Sequence, residues 1–115
     1  VHLLKVKRSG LLQRHRHSGM VHAHVLRGKW LYLEHDWVAE EGSYVFEPPG
    51  ETHTLVVPDD CQDMVTMFTV HGALMYVDTQ GNATGYDDVF TRIEKYRAHF
   101  EAVGLGADYV KQFMR

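Results

Sequence analysis

The sequence predicts a mainly β domain, an antiparallel sandwich or barrel of short strands followed by a C-terminal helical tail. Three observations predict it. Short apolar or alternating runs recur at residues 1–7, 11–17, 20–27, 30–35, 43–47, 53–57, 64–71 and 73–77. Turn residues punctuate them at regular intervals: Ser9-Gly10, Ser18-Gly19, Gly28-Lys29, Glu41-Gly42, Pro48-Pro49-Gly50, Pro58-Asp59-Asp60 and Gly72. The apolar period then changes from strand-like to helical after Asp87.

Each run has its own reason. Residues 1–7 place Leu3 and Leu4 on an edge strand, the kind of edge that a second copy of a chain covers. In 11–17, His15 and His17 stand two apart and so project from one face, with Arg16 on the other. In 20–27, His22 and His24 share a face by the same spacing. Runs 30–35 and 43–47 carry the aromatics Trp30, Tyr32, Tyr44 and Phe46. Pro48 and Pro49 end one strand, Gly50 permits a tight turn, and His53 opens the next strand. Gly72 divides 64–71 from 73–77. In the tail, Phe90, Ile93, Tyr96, Phe100 and Val103 recur in steps of three and four, one stripe of a helix over 87–103. Asp87 and Asp88 suit its start, and Gly104 and Gly106 suit its end. Residues 107–113 form a second short helix. Such a stripe is core or an oligomer contact.

Length and composition narrow the function. A chain of 115 residues makes one domain. Apolar residues at 44% and charged residues at 23% exclude a disordered or collagen-like chain. No apolar run reaches the ~18 residues of a spanning helix, so no membrane partner is expected. A net charge of −3 argues against a nucleic-acid partner. The single cysteine, Cys61, suits a reducing, cytoplasmic setting and has no catalytic partner in the sequence. Val1 is not an initiator methionine, and residues 1–12 do not read as a signal peptide, so the chain is expected to begin inside a longer product.

The nine histidines are the chemical signal. His15 and His17 can point at one ion, and His53 can face them across a barrel. Three imidazoles on one side of a metal leave positions free for substrate and oxygen. The neutral ring binds iron or zinc near neutral pH. His2, His35, His71 and His99 read as surface or hydrogen-bonded side chains. Glu47 and Glu51 read as solvated turn carboxylates, with orientation of a ligand imidazole as the alternative.

These residues carry a resemblance. His15-x-His17, Gly28 and Pro48-x-Gly50-x-x-His53 resemble the two signature motifs of the cupin superfamily, small double-stranded β-barrels of jelly-roll type that hold a metal inside. The glutamate that usually follows the second histidine is absent; His22, with Val21 before it, fills that place. The wider likeness covers nearly all of 11–115. Its distinctive parts are the segment 42–58 and the tail 85–110. They resemble the 2,4'-dihydroxyacetophenone dioxygenase family.

The resemblance implies one cupin domain over 1–115, with a helical tail over 87–113 and without the N-terminal strands of family members. It implies an iron centre held by His15, His17 and His53, with no carboxylate. The implied reaction cleaves the bond between the carbonyl and hydroxymethyl carbons of an aryl α-hydroxyketone. It gives 4-hydroxybenzoate and formate, with both atoms of O2 incorporated. Fe(II) is the expected cofactor, Zn the alternative, and O2 the cosubstrate; a small aromatic ketone is the expected partner. Three neutral imidazoles would leave the full 2+ charge to act on substrate oxygens. His22 is expected in the pocket as a proton carrier, and Trp30, Tyr32, Tyr44 and Phe46 as its aromatic walls. The competing reading is a non-catalytic zinc cupin. A homodimer through the first strands or the helical tail is expected.

Overall fold

Period-two alternation decides which side chains meet inside this molecule. The computed structural model describes residues 1–114. In chain order the strands are β1 (His2–Val6), β2 (Gly10–His17), β3 (Val21–Arg27), β4 (Lys29–Tyr32), β5 (Val38–Glu40), β6 (Tyr44–Glu47), β7 (Thr52–Val57), β8 (Met64–Val70), β9 (Leu74–Val77) and β10 (Ala83–Asp87). Helix α1 (Val89–Ala102) and a 3-10 segment (Ala107–Phe113) follow.

The strands form two antiparallel sheets that face each other as a cupin-like sandwich. One has the order β1-β8-β3-β6 and the other β10-β9-β2-β7-β4-β5. On β3, Val21, Ala23 and Val25 are buried while His24 and Leu26 are exposed. From the opposite sheet, Trp30 and Tyr32 of β4 and Leu55 and Val57 of β7 join the same core. Burying a large side chain of this kind contributes about 1.5–3 kcal/mol.

The expected strands are all present, most with ends shifted by a residue, but β4 stops at Tyr32 where the run was expected to reach 35. Two strands, β5 and β10, were not expected. In the three-residue β5 only Ala39 is buried. β10 carries Gly85 and a register shift between Ala83 and Gly85, so backbone pairing to β9 makes it a strand, not an apolar pattern.

Register sets the approach to the site. β2 pairs with β7 so that His15 stands directly opposite His53. The turn before β7 closes onto β2, where the Gly50 N–H donates to the His17 carbonyl at 3.0 Å. Gly50 has φ +94°, a conformation that other residues adopt only at a cost. These two contacts bring two distant motifs to one spot.

The tail differs from expectation. Asp88 caps α1: its carboxylate accepts from the Phe90 and Thr91 N–H groups, and the Thr91 hydroxyl accepts from the Asp88 N–H. Yet no residue of α1 is buried, so the apolar stripe does not enter the core. Phe100 packs edge-on against Tyr109 of the 3-10 segment instead, with ring centres 4.9 Å apart. The tail folds on itself. No helix is long and apolar enough to cross a membrane.

One carboxylate fastens the tail to the barrel. Asp87, at the end of β10, is 4% exposed. It accepts from Lys95 Nζ at 2.6 Å, from the Tyr76 hydroxyl at 2.7 Å and from the Thr91 hydroxyl at 2.8 Å. Burial works against its charge, but these donors outweigh it and hold its pKa down at about 2. An acid with a depressed pKa stabilises the fold fully above its ordinary value of 3.8, and that contribution disappears as pH falls towards about 2. Asp87→Asn is therefore expected to lower unfolding free energy by about 1–2 kcal/mol at neutral pH. In urea titrations the gap between the two proteins should close as the pH falls through that range.

Candidate metal centre

Two strands and one turn deliver three imidazoles to the interior. His15 and His17 alternate inward on β2, and His53 sits at the start of β7. All three are buried. Their ring centres lie 5.3 Å apart for His17 and His53, 5.8 Å for His15 and His53, and 6.1 Å for His15 and His17.

The tightest set of ligating atoms differs from the expected trio. It consists of His17, Glu47 and His53, whose donor atoms all lie within 4.8 Å of one another. Glu47 is 3% exposed, not a solvated turn carboxylate. Its Oε1 lies 3.6 Å from His17 Nε2 and 3.4 Å from His53 Nε2. So the site does contain an acid, supplied by β6 and not by the stretch after the second histidine. Period two explains it: Tyr44 and Phe46 point outward, so Val45 and Glu47 point inward. β6 pairs with β3 so that Glu47 stands opposite Val21. His15 borders this set without belonging to it.

Neighbouring groups orient the donors. His17 Nδ1 lies 2.6 Å from the Gly19 carbonyl, and a carbonyl only accepts. Nδ1 therefore carries the proton, which leaves the Nε2 lone pair toward Glu47. Gly19 holds this place because a Cβ there would fall 2.0 Å from the His71 carbonyl oxygen. The Tyr32 hydroxyl donates to Glu47 Oε1 at 2.6 Å, and its ring stacks on His53 at 4.2 Å.

Electrostatics follow from burial. Burial pushes the His15 pKa down to about 4, helped by the charge of a protonated His53. Burial also lowers His53, against the pull of Glu47. For His17 burial is again the largest single influence, but the Glu47 carboxylate and the Gly19 carbonyl outweigh it and raise the pKa. Burial and the Glu47 charge push the Tyr32 phenol well above its ordinary range, so it stays a donor.

The donors fit a metal. His15 Nδ1, His17 Nε2, both ring nitrogens of His53 and Glu47 Oε2 are buried without a hydrogen-bond partner. Unpaired buried polar atoms cost about 1–3 kcal/mol each, so a bound cation would offset that cost here. Nitrogen and oxygen donors of this kind suit a divalent first-row ion. A second group, His35, Glu51 and His53, is less buried, and within it His35 Nε2 and Glu51 Oε1 already pair at 2.5 Å.

The other expected site residues separate. His22 is not in the pocket. It lies on the outer side of β3, where its Nδ1 is 2.6 Å from the Tyr44 hydroxyl and its ring packs against Phe46. The inward side of that stretch belongs to Val21. Tyr44 and Phe46 are 54% and 51% exposed, so they are not pocket walls either. Trp30 is core. Tyr32 does line the space beside the cluster, a cavity of about 110 Å³. Glu47, His15, His2, Arg92 and Tyr96 line it too, with apolar walls from Leu4, Leu55 and Phe68. His2, expected as a surface or hydrogen-bonded side chain, stacks on Phe68 here. Glu47 was legible from the parity of β6. Arg92 and Tyr96 were not, because only the docking of α1 brings them to the cavity.

Comparison with known proteins agrees with this fold. None of the curated proteins matches the chain. An RmlC-like cupin protein from Ralstonia eutropha JMP134 is 33% identical, with a TM-score of 0.83 over 90% of this chain and 66% of that one. A protein of unknown function with a cupin-like fold, from the same organism, is 26% identical, with a TM-score of 0.70 over 75% of this chain and 54% of that one. An acetylacetone dioxygenase from Acinetobacter johnsonii shares the fold at 19% identity, with a TM-score of 0.64 over 74% of this chain and 58% of that one. The chain thus spans 54–66% of the length of these neighbours. Residues 1–75 match the family described as the ChrR cupin-like domain. With its sandwich and its buried cluster of histidines and glutamate, the chain belongs to that ChrR cupin-like family.

Proposed function

We propose that this protein is an Fe(II)-dependent dioxygenase that cleaves a carbon–carbon bond in a small ketone offering two oxygen donors. The observation that carries the reading is the buried donor set of His17, Glu47 and His53, with His15 beside it and an apolar cavity adjoining. The likeness of segment 42–58 and of the tail to the 2,4'-dihydroxyacetophenone dioxygenase family supports it. A dioxygenase on the same fold, the Acinetobacter neighbour, illustrates the chemistry that such a sandwich can house.

His17, His53 and Glu47 would hold the ion, and His15 would complete the set. When bound, Fe(II) supplies the redox chemistry with O2. The chain's own residues do the rest. Glu47 brings one negative charge, so a 2+ ion keeps roughly one unit of net charge toward the substrate, not the two units that histidines alone would leave. Tyr32 holds the Glu47 carboxylate by its hydroxyl and the His53 ring by its face, fixing both donors before a ligand arrives. Gly19 fixes the tautomer of His17. The apolar walls exclude water from the reacting bond. With 2,4'-dihydroxyacetophenone the reaction balances: one ketone and one O2 give one 4-hydroxybenzoate and one formate.

Two outcomes test this. Equilibrium dialysis is expected to find one transition ion per chain, with affinity falling as the pH drops from neutral to about 5, because His17, whose pKa is raised against burial by the Glu47 carboxylate and the Gly19 carbonyl, must lose its proton to bind. His53→Ala and Glu47→Gln should each weaken binding at least ten-fold. In oxygen-electrode assays, the iron-loaded protein should consume O2 with 2,4'-dihydroxyacetophenone or with acetylacetone, and the zinc-loaded protein should not. Equal uptake by the zinc form, or none by the iron form with either ketone, would overturn the oxygenase reading and leave a metal-binding cupin.

A further inference from the structure

The cavity beside the metal cluster has two chemically different sides. One carries His15, Tyr32 and Glu47; α1 contributes Arg92 and Tyr96. Among the lining residues Arg92 is the one permanent cation. The carboxylate it faces is Asp87, whose Oδ2 lies 3.6 Å from Arg92 Nη2, beyond hydrogen-bond distance. Asp87 is already bonded to Lys95, Tyr76 and Thr91 at 2.6–2.8 Å. One carboxylate therefore faces two cations, Lys95 and Arg92, and the surplus positive charge sits on the residue that reaches the cavity.

We propose that Arg92 reads a negative charge on the ligand, so that the cavity takes a short organic anion, a 2-oxo or 3-oxo acid, in preference to a neutral ketone. The assignment rests on the proposed use of this cavity as the substrate site. A guanidinium matches a carboxylate with two parallel hydrogen bonds, and it is worth most where water is thin. The second oxygen function then lies toward His15 and Glu47, and the carbon chain lies against Leu4, Leu55 and Phe68.

The test uses zinc-loaded protein, which binds without turnover, and two ligands of equal size. These are 2-oxobutanoate and its neutral isostere 2,3-pentanedione, titrated by calorimetry. Wild type should prefer the anion at least ten-fold. Arg92→Gln should bring the two within two-fold of each other, and Arg92→Lys should restore part of the preference. Arg97→Gln removes the same charge from the same helix outside the cavity lining and away from Asp87, and should leave the preference within two-fold of wild type. Thermal melts of each variant establish that it is folded. If Arg92→Gln keeps the preference, the charge is read elsewhere and the proposal fails. It also fails if Arg97→Gln abolishes the preference, or if wild type binds neither ligand at millimolar concentration. Failure of the oxygenase reading is a separate result: O2 uptake would be absent while the Arg92-dependent preference remained.

Discussion

A carboxylate sealed inside an apolar sandwich is the constraint from which the rest of this structure follows. Glu47 is almost fully buried, and two imidazoles stand within 3.6 Å of it. A charge in that position is unfavourable by several kcal/mol unless a cation or several donors meet it. Tyr32 supplies one donor, but Glu47 Oε2 and the inner ring nitrogens remain unpaired. A divalent ion held by His17, Glu47 and His53 would resolve these conflicts together. The stacking of Tyr32 on His53, the carbonyl of Gly19 on His17 and the turn at Gly50 all serve to keep that arrangement ready.

Much of the architecture was legible in the sequence, because turn chemistry and alternation are local. The Ser18-Gly19, Gly28 and Pro48-Pro49-Gly50 breaks fall between the strands that flank the site. The meeting of His15, His17 and His53 followed from a spacing of two and from one turn. Glu47 was misread because the prolines beside it suggested a solvated turn. The outward pair Tyr44 and Phe46 carried the opposite message, since their neighbours must face inward. The same parity misplaced His22: counting from the second histidine reached the right stretch but the wrong side of β3.

What the sequence could not supply is tertiary. β10 has no apolar alternation and exists only because β9 offers a free edge. The stripe of α1 read as core or an oligomer contact; it does not enter the core, and its Phe100 packs against Tyr109 and Phe113. No period in the tail reveals that Arg92 and Tyr96 would reach a cavity built by strands. Such residues are set by where a helix comes to rest, and one carboxylate, Asp87, sets that here.

That separation between barrel and tail bears on how such proteins diversify. Substitutions in a densely packed interior are mostly damaging, whereas exposed positions change at nearly no thermodynamic penalty. Because no residue of α1 is buried, its exposed positions can drift while the buried histidines and Glu47 stay in place. A lineage built on this plan can reshape its cavity by rewriting one surface helix, which reaches that space through Arg92 and Tyr96.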